Sequence, residues 1–228
     1  QEWGIRYNEV NLDLSKLLKK KLGIVDELTK GIDFLFKKNK VTKYIGTAKI
    51  LSPNEIEIMK NEKAEIINAD KIIIATGSES TNLPNINVDE KKIVTSTGAL
   101  ELDKVPKKMI VIGAGIIGLE MGTVWRRLGA EVEVVEYLPR ILPGIDDEIA
   151  QNFMKILQKQ GVKFKLSHSV EKAQIINDKV LLSINDCNNN THNELEADVA
   201  LVSVGRKPNT NGLGLEKLNL KIDKHGFI

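Results

Sequence analysis

The residues with the most chemical content in this chain are the hexapeptide Gly113-Ala114-Gly115-Ile116-Ile117-Gly118 and the acid Glu136, about twenty residues past its first glycine. A GxGxxG hexapeptide alone says little, because glycine-rich turns also occur in α/β proteins that bind no nucleotide. Here the flanking pattern completes it. The apolar run Met109-Ile110-Val111-Ile112 precedes the glycines, a helical stretch opens at them, and residues 131–136 read as a second strand that ends in the acid. Each residue type then has a task. Gly113 permits the tight strand-to-helix turn, Gly115 leaves the backbone open to a pyrophosphate, and Gly118 allows the helix to pack closely on the sheet. The unpaired N–H groups and dipole at the start of the helix favour the anion. Glu136 accepts hydrogen bonds from both adenosine ribose hydroxyls and repels a 2′-phosphate, which favours NAD(H) over NADP(H). Arg140, four residues on, is the one nearby cation that could soften this choice.

The elements needed to hold these groups are legible around them. From residue 106 the sequence predicts strands over 108–112, 131–136, 163–166 and 198–204. Helices are predicted over 115–128 and 146–160, the second with Ile149, Phe153, Ile156 and Leu157 on one face. Strands alternating with helices predict a parallel sheet. A strand-rich stretch, 170–176 and 179–184, turns at Asn177-Asp178. The first part of the chain is predicted to hold one long amphipathic helix over 11–39. Its apolar stripe runs through Leu14, Leu17, Leu18, Leu22, Val25, Leu28, Ile32 and Leu35. Strands are predicted at 43–51 and 55–59 and, as a continuous apolar run, at 70–75. A connector with a short helix at 96–100 follows. The predicted fold is α/β: residues 106–228 as a Rossmann-like NAD-binding domain, and residues 1–105 as an incomplete FAD-binding domain on the resemblance described below.

Composition narrows the function. Of the 228 residues 42% are hydrophobic and 28% charged, and the net charge is only +2, so neither nucleic acid nor a membrane surface is an expected partner. The longest apolar run, 109–119, is far shorter than the ~20 residues a membrane-spanning helix needs. The lysines at 19–21 and 37–38 read as a solvated helix face, since no aromatics interleave with them. The single cysteine, Cys187, sits in a polar, loop-like stretch. It supports neither an internal disulfide nor a cysteine metal cluster, and no metal ligand or catalytic residue is assigned. His168, His192 and His225 read as ordinary exposed histidines. The polar start, without an initiator methionine, is the pattern expected of a piece of a longer protein.

Four linked segments then carry a resemblance: Ile73-Ile74-Ala75-Thr76-Gly77-Ser78, Ser96-Thr97-Gly98-Ala99-Leu100, Val111 to Glu120, and Val204-Gly205-Arg206-Lys207-Pro208-Asn209. Together they resemble the dihydrolipoamide dehydrogenases, flavoprotein disulfide reductases with a redox-active cysteine pair that serve 2-oxoacid dehydrogenase complexes. The resemblance runs over the whole chain. It implies that Gly113, Ala114, Gly115, Ile116, Ile117 and Gly118 hold the NAD pyrophosphate and Glu136 the ribose. Glu120 lies near the nicotinamide, Val170 lines the adenine pocket, and Gly205 lies on the nicotinamide side. Thr76, Gly77 and Ser78, with the backbone at Ala48, correspond to positions that touch FAD. Many members have glycine where this chain has Ala48, a change that a backbone contact tolerates.

The same resemblance implies that the cysteine pair and the FAD pyrophosphate loop precede residue 1 and that the catalytic His–Glu pair follows residue 228. It further implies a homodimeric parent that oxidises protein-bound dihydrolipoamide, carried on lipoyl groups, through FAD to NAD⁺. The cytoplasm is the default compartment, or the mitochondrial matrix if the source is eukaryotic. Other flavoprotein disulfide reductases, of the glutathione or mercuric reductase type, and a stand-alone nucleotide-binding module remain alternatives.

Assayed alone, residues 1–228 are expected not to reduce lipoamide with NADH even with added FAD, and to retain little flavin through gel filtration. Turnover near that of a full-length enzyme, or a yellow protein with stoichiometric flavin, contradicts this.

Overall fold

The computed structural model describes residues 10–228. In chain order the elements are α1 (Leu14–Lys38), β1 (Thr47–Ser52), β2 (Glu55–Lys60), β3 (Lys63–Asn68), β4 (Ser78–Ser80), β5 (Ile93–Val94), α2 (Ser96–Ala99), β6 (Lys108–Ile112) and α3 (Ile116–Arg127). After these come β7 (Glu131–Val135), α4 (Asp147–Lys159), β8 (Lys163–Lys165), β9 (His168–Ile176), β10 (Lys179–Asp186), β11 (Thr191–Ala197), β12 (Val199–Val202) and β13 (Arg206–Pro208). Among the described residues no helix is long and apolar enough to cross a membrane.

The chain forms two compact units. One is Ser80–Gly205 with the described chain up to Lys21; the other is Leu22–Glu79 with Arg206–Ile228. The division expected at residue 105 does not coincide with either boundary. Residues 86–102 belong to the first unit because β5 pairs with β12, and because Trp125 of α3 donates its indole N–H to the Ala99 carbonyl at 3.0 Å. Residues 206–228 belong to the second, where Ile50 N donates to Leu213 O at 2.8 Å.

The first unit is built on a five-stranded sheet, order β5-β12-β6-β7-β8, in which every pair is parallel. Alternation along the strands makes it the middle of three layers. Met109 and Val111 of β6 face one core cluster, with Leu119 and Trp125 of α3 and Leu157 of α4. Ile110 and Ile112 face the other, with Ala173, Val180, Leu182 and Ile184 of the antiparallel sheet β11-β10-β9. The β9–β10 turn at Asn177 and Asp178 has both residues at positive φ, as a two-residue hairpin requires. Neither β5 nor β11 was predicted: β5 has only two residues, and β11 is mostly polar, with one buried position.

α4 forms where expected, capped by Asp146, whose carboxylate accepts the N–H groups of Glu148 and Ile149. Its buried residues are Ala150 and Leu157, with Met154 packed beside them, whereas Ile149, Phe153 and Ile156 are exposed. The predicted face is therefore rotated. Ala150 and Leu157, not the isoleucines, carry the helix's contact with the core.

The second unit contains the antiparallel meander β1-β2-β3. β3 was not predicted, and the strand expected over 70–75 does not form. The run Ile72-Ile73-Ile74 has no paired strand, and Ile73 is 90% exposed. A continuous apolar run buried on both faces becomes a strand only with neighbours on its edges and cover on both faces; among the described residues the edges are unpaired, and Ile72 and Ile74 are part-buried while Ile73 is not. α1 forms within its predicted span and has no fully buried residue: Leu14 packs against the first unit's core, whereas Leu22, Val25, Leu28, Ile32 and Leu35 of its apolar stripe are exposed.

Asp198, just before β12, binds the starts of two other strands. Its carboxylate accepts Lys108 N at 2.8 Å and Lys179 Nζ at 2.6 Å. Burial pushes its pKa up, but the Lys179 ammonium and the Lys108 N–H outweigh this and hold it below its ordinary value near 3.8. A group depressed in the folded state contributes stability above its unfolded pKa and loses it as pH falls through the folded one. Asp198→Asn is therefore expected to cost about 1–2 kcal/mol in urea unfolding at pH 7, and the gap from wild type should close below about pH 4. A gap independent of pH contradicts this.

Candidate functional site

A cleft of about 900 Å³ opens at the carboxyl ends of the parallel strands of the first unit, where open α/β sheets place their ligands. The ends of β6 (Ile112, Gly113), β7 (Val135, Glu136) and β12 (Val202, Ser203) form its floor. Its walls are the start of α3, the turn Leu142-Pro143-Gly144-Ile145 and the start of β9. The lining is mainly apolar with a few polar groups, and the size suits a dinucleotide-scale ligand.

The glycine turn is tied to three strands. Gly113 N donates to Val135 O at 2.8 Å, and the Ser203 hydroxyl donates to Ile112 O at 2.9 Å and also approaches Gly113 O at 3.2 Å. Gly113 has φ +99, and a Cβ there would lie 2.6 Å from Ser203 O. A Cβ on Gly118 would come within 2.5 Å of both Gly113 O and the Ser203 hydroxyl. Gly118 is thus the close-approach glycine that lets α3 dock.

Gly115 is different. It is the N-cap of α3, with ordinary φ of −77, and a Cβ built on it meets nothing within 4 Å. No side chain caps the helix and no acid occupies its first turn. The first-turn N–H groups have no partner within the helix. An open cradle, uncapped donors and a favourable dipole end fit a phosphate group.

Glu136 is 8% exposed, and both its carboxylate oxygens are engaged. Oε2 accepts Ala114 N at 2.6 Å and Oε1 accepts Leu138 N at 2.8 Å. A carboxylate has about four acceptor positions, so two remain for a ligand's hydroxyls. Arg140 does not line the cleft. Its guanidinium donates to the Asp147 carboxylate and to Ile145 O and is directed to these partners.

Of the predicted site residues, Gly113, Gly115, Ile116, Ile117, Glu136, Val170 and Gly205 line this cleft. Ala114 and Gly118 lie beneath it, in the backbone that shapes the turn. Glu120 is an exposed residue of α3 and does not line it. Ala48, Thr76, Gly77 and Ser78 belong to the second unit. There Thr76 Oγ1 donates to Asn209 O at 2.7 Å, Gly77 has φ +72 with open space at its Cβ position, and Ser78 Oγ accepts Arg206 Nε at 2.7 Å. Cys187 is free and exposed, as expected.

The sequence reading missed Tyr137, Leu138, Pro143, Gly144, Ile145, Ser203 and His168. Ser203 could have been found, since it follows directly on the predicted last strand. His168 is a correction: it is partly buried and lines the cleft, not an ordinary exposed histidine.

The model of the pyridine nucleotide-disulphide oxidoreductase family matches residues 3–228. The chain is 48% identical over 227 residues to a dihydrolipoamide dehydrogenase of Chaetomium thermophilum, covering 99% of this chain and 45% of that protein. To the mitochondrial dihydrolipoyl dehydrogenase 1 of Arabidopsis thaliana it is 49% identical over 226 residues, again covering 99% and 45%. Among solved structures, the Cu(II) complex of the HOCl-induced flavoprotein disulfide reductase RclA from Escherichia coli superposes with a TM-score of 0.82 at 25% identity. That match covers 92% of this chain and 47% of that one. The chain spans about half the length of the curated relatives it matches. With a glycine-rich turn at the carboxyl edge of a parallel sheet and a family match over nearly its full length, the chain belongs to the pyridine nucleotide-disulphide oxidoreductase family.

Proposed function

We propose that this chain is the NAD(H)-binding part of a dihydrolipoamide dehydrogenase, an enzyme that oxidises protein-bound dihydrolipoamide and passes the electrons through FAD to NAD⁺. The observation that carries the NAD(H) reading is the pairing of an open Cβ position at Gly115 with a near-buried acid, Glu136, on one cleft. The first-turn N–H groups at Gly115, Ile116 and Ile117 would hold the pyrophosphate. The free acceptor positions of Glu136 would take the ribose hydroxyls, and its charge would exclude a 2′-phosphate. Val170 is assigned to the adenine side and Gly205 to the nicotinamide side; Glu120, exposed on α3 outside the cleft lining, is assigned to a nicotinamide that extends beyond that lining.

Thr76, Gly77, Ser78 and the backbone at Ala48 are assigned to FAD in the longer protein, and the open backbone at Gly77 fits a close ligand contact. Bound FAD supplies two-electron redox chemistry between a dithiol and the nicotinamide; these residues would contribute binding and orientation. The names of the Chaetomium and Arabidopsis relatives support dihydrolipoamide as substrate, hence lipoyl-bearing 2-oxoacid dehydrogenase complexes as partners. The Arabidopsis name also favours the mitochondrial matrix over the cytoplasm. A homodimeric parent is part of the same proposal, as is the inactivity of this chain by itself.

The glycines separate binding from folding. Gly115→Val is expected to leave the urea midpoint near that of wild type while abolishing calorimetric binding of NADH, because its side chain fills only the cradle. Gly118→Ala is expected to destabilise by about 1–3 kcal/mol through overpacking against Gly113 O. Glu136→Ala is expected to weaken NADH by about tenfold or more and to remove most of the preference over NADPH. Undiminished NADH binding by Gly115→Val, or equal wild-type affinity for the two cofactors, contradicts the reading.

A further inference from the structure

His168 opens β9 at the acidic end of the cleft. Its backbone N–H donates to Glu136 O at 2.9 Å, which places it beside the acid. It lies two residues before Val170 and therefore on the same face of the strand. Val170 packs against the core cluster that includes Ile112, Val135 and Val202, whose strand ends form the floor, and His168 itself lines the cleft.

The ring is oriented by a single short bond, Nδ1 to Leu166 O at 2.7 Å. A carbonyl only accepts, so Nδ1 carries the proton. In the neutral ring Nε2 is then left with a lone pair, and in the charged ring Nε2 becomes a donor. Cys187, whose backbone N–H donates to Ser167 O at 2.8 Å, is among the titratable groups near the ring. Asp186 is register-paired with His168 on β10, Glu136 and Tyr137 follow β7, and Lys165 ends β8. The N–H of Asn188, and to a lesser extent His168 itself, hold the Asp186 carboxyl below its usual range, so it stays ionised wherever an imidazole titrates.

We propose that His168 is a specificity-determining residue of the cofactor cleft. Neutral, it leaves the adenosine ribose to Glu136 and a 2′-hydroxyl; protonated, it offers a 2′-phosphate the cationic partner that Glu136 denies it. The inference rests on the reading of the cleft as the NAD(H) site. It assigns the discrimination against a 2′-phosphate to two groups in place of one, and makes its size depend on pH. Arg140 does not line the cleft, and its guanidinium is paired with Asp147 and Ile145 O.

The test is calorimetric titration of NADH and NADPH into the whole chain at pH 8 and pH 6, for wild type, His168→Asn and His168→Gln. Asn keeps a donor within reach of Leu166 O, and Gln keeps a neutral polar group near the place of Nε2. Thermal melts of both variants check the fold. A 2′-phosphate has its own ionisation near pH 6, but this is common to all three proteins, so their difference reports the imidazole. Between pH 8 and pH 6 the affinity of wild type for NADPH is expected to rise about five- to tenfold relative to both variants, the scale of one partly exposed charge-assisted hydrogen bond. NADH should change in parallel in all three. Superimposable NADPH profiles in wild type and variants overturn the role of His168 while leaving the NAD(H) reading intact. Failure of wild type to bind NADH at either pH overturns that reading itself.

Discussion

The site depends on one buried carboxylate. Glu136 accepts the N–H of Ala114, in the middle of the glycine turn, and the N–H of Leu138, in the chain leaving β7. Two adjacent strand ends are thereby held to one anion, and the buried N–H of Ala114 and the part-buried N–H of Leu138 gain a charged partner. The placement of the α3 N-terminus follows from this link together with the close fit of Gly118 under Gly113. The residue that chooses the ligand is also the residue that shapes the turn, so its loss costs the unoccupied protein as well as the complex.

That dual role explains a division of labour among the glycines. Gly113 and Gly118 are required by the protein's own backbone, whether or not anything is bound. Gly115 is required only by what enters the cleft, because its backbone angles suit any residue and its surroundings are empty. A motif that reads as one unit in the sequence is two structural constraints and one functional constraint.

Much of this was legible in the sequence. β6, α3, β7 and the β9–β10 hairpin lie within a residue or two of their expected bounds, because period, turn chemistry and glycine spacing agree there. The failures have a common cause. Apolar periodicity tells which positions repel water but not what covers them. Ile73 in the run 70–75 and the stripe on α1 from Leu22 onward are apolar yet exposed, and on α4 Ala150 outranks Ile149 and Ile156 for the core. β11, with only one buried residue, had almost no apolar signal to read. His168 was missed because nothing local marks it. Its importance comes from a backbone bond to Glu136, about thirty residues earlier, and from the contact between β7 of the parallel sheet and β9 of the antiparallel one. Glu136 was assigned to a ligand from its spacing, but its bonds to Ala114 and Leu138 were invisible until the strand ends converged.

The central claim is that the first turn of α3 and the carboxylate of Glu136 together form the anion and ribose sites of one dinucleotide. Amide nitrogen–proton NMR of the chain titrated with NADH tests this most directly. The account predicts that the largest shifts fall on the amides of Gly115, Ile116 and Ile117, with coupled shifts at Ala114 and Leu138 as Glu136 takes on the ribose hydroxyls. Saturable NADH binding that leaves these five amides unmoved would contradict it.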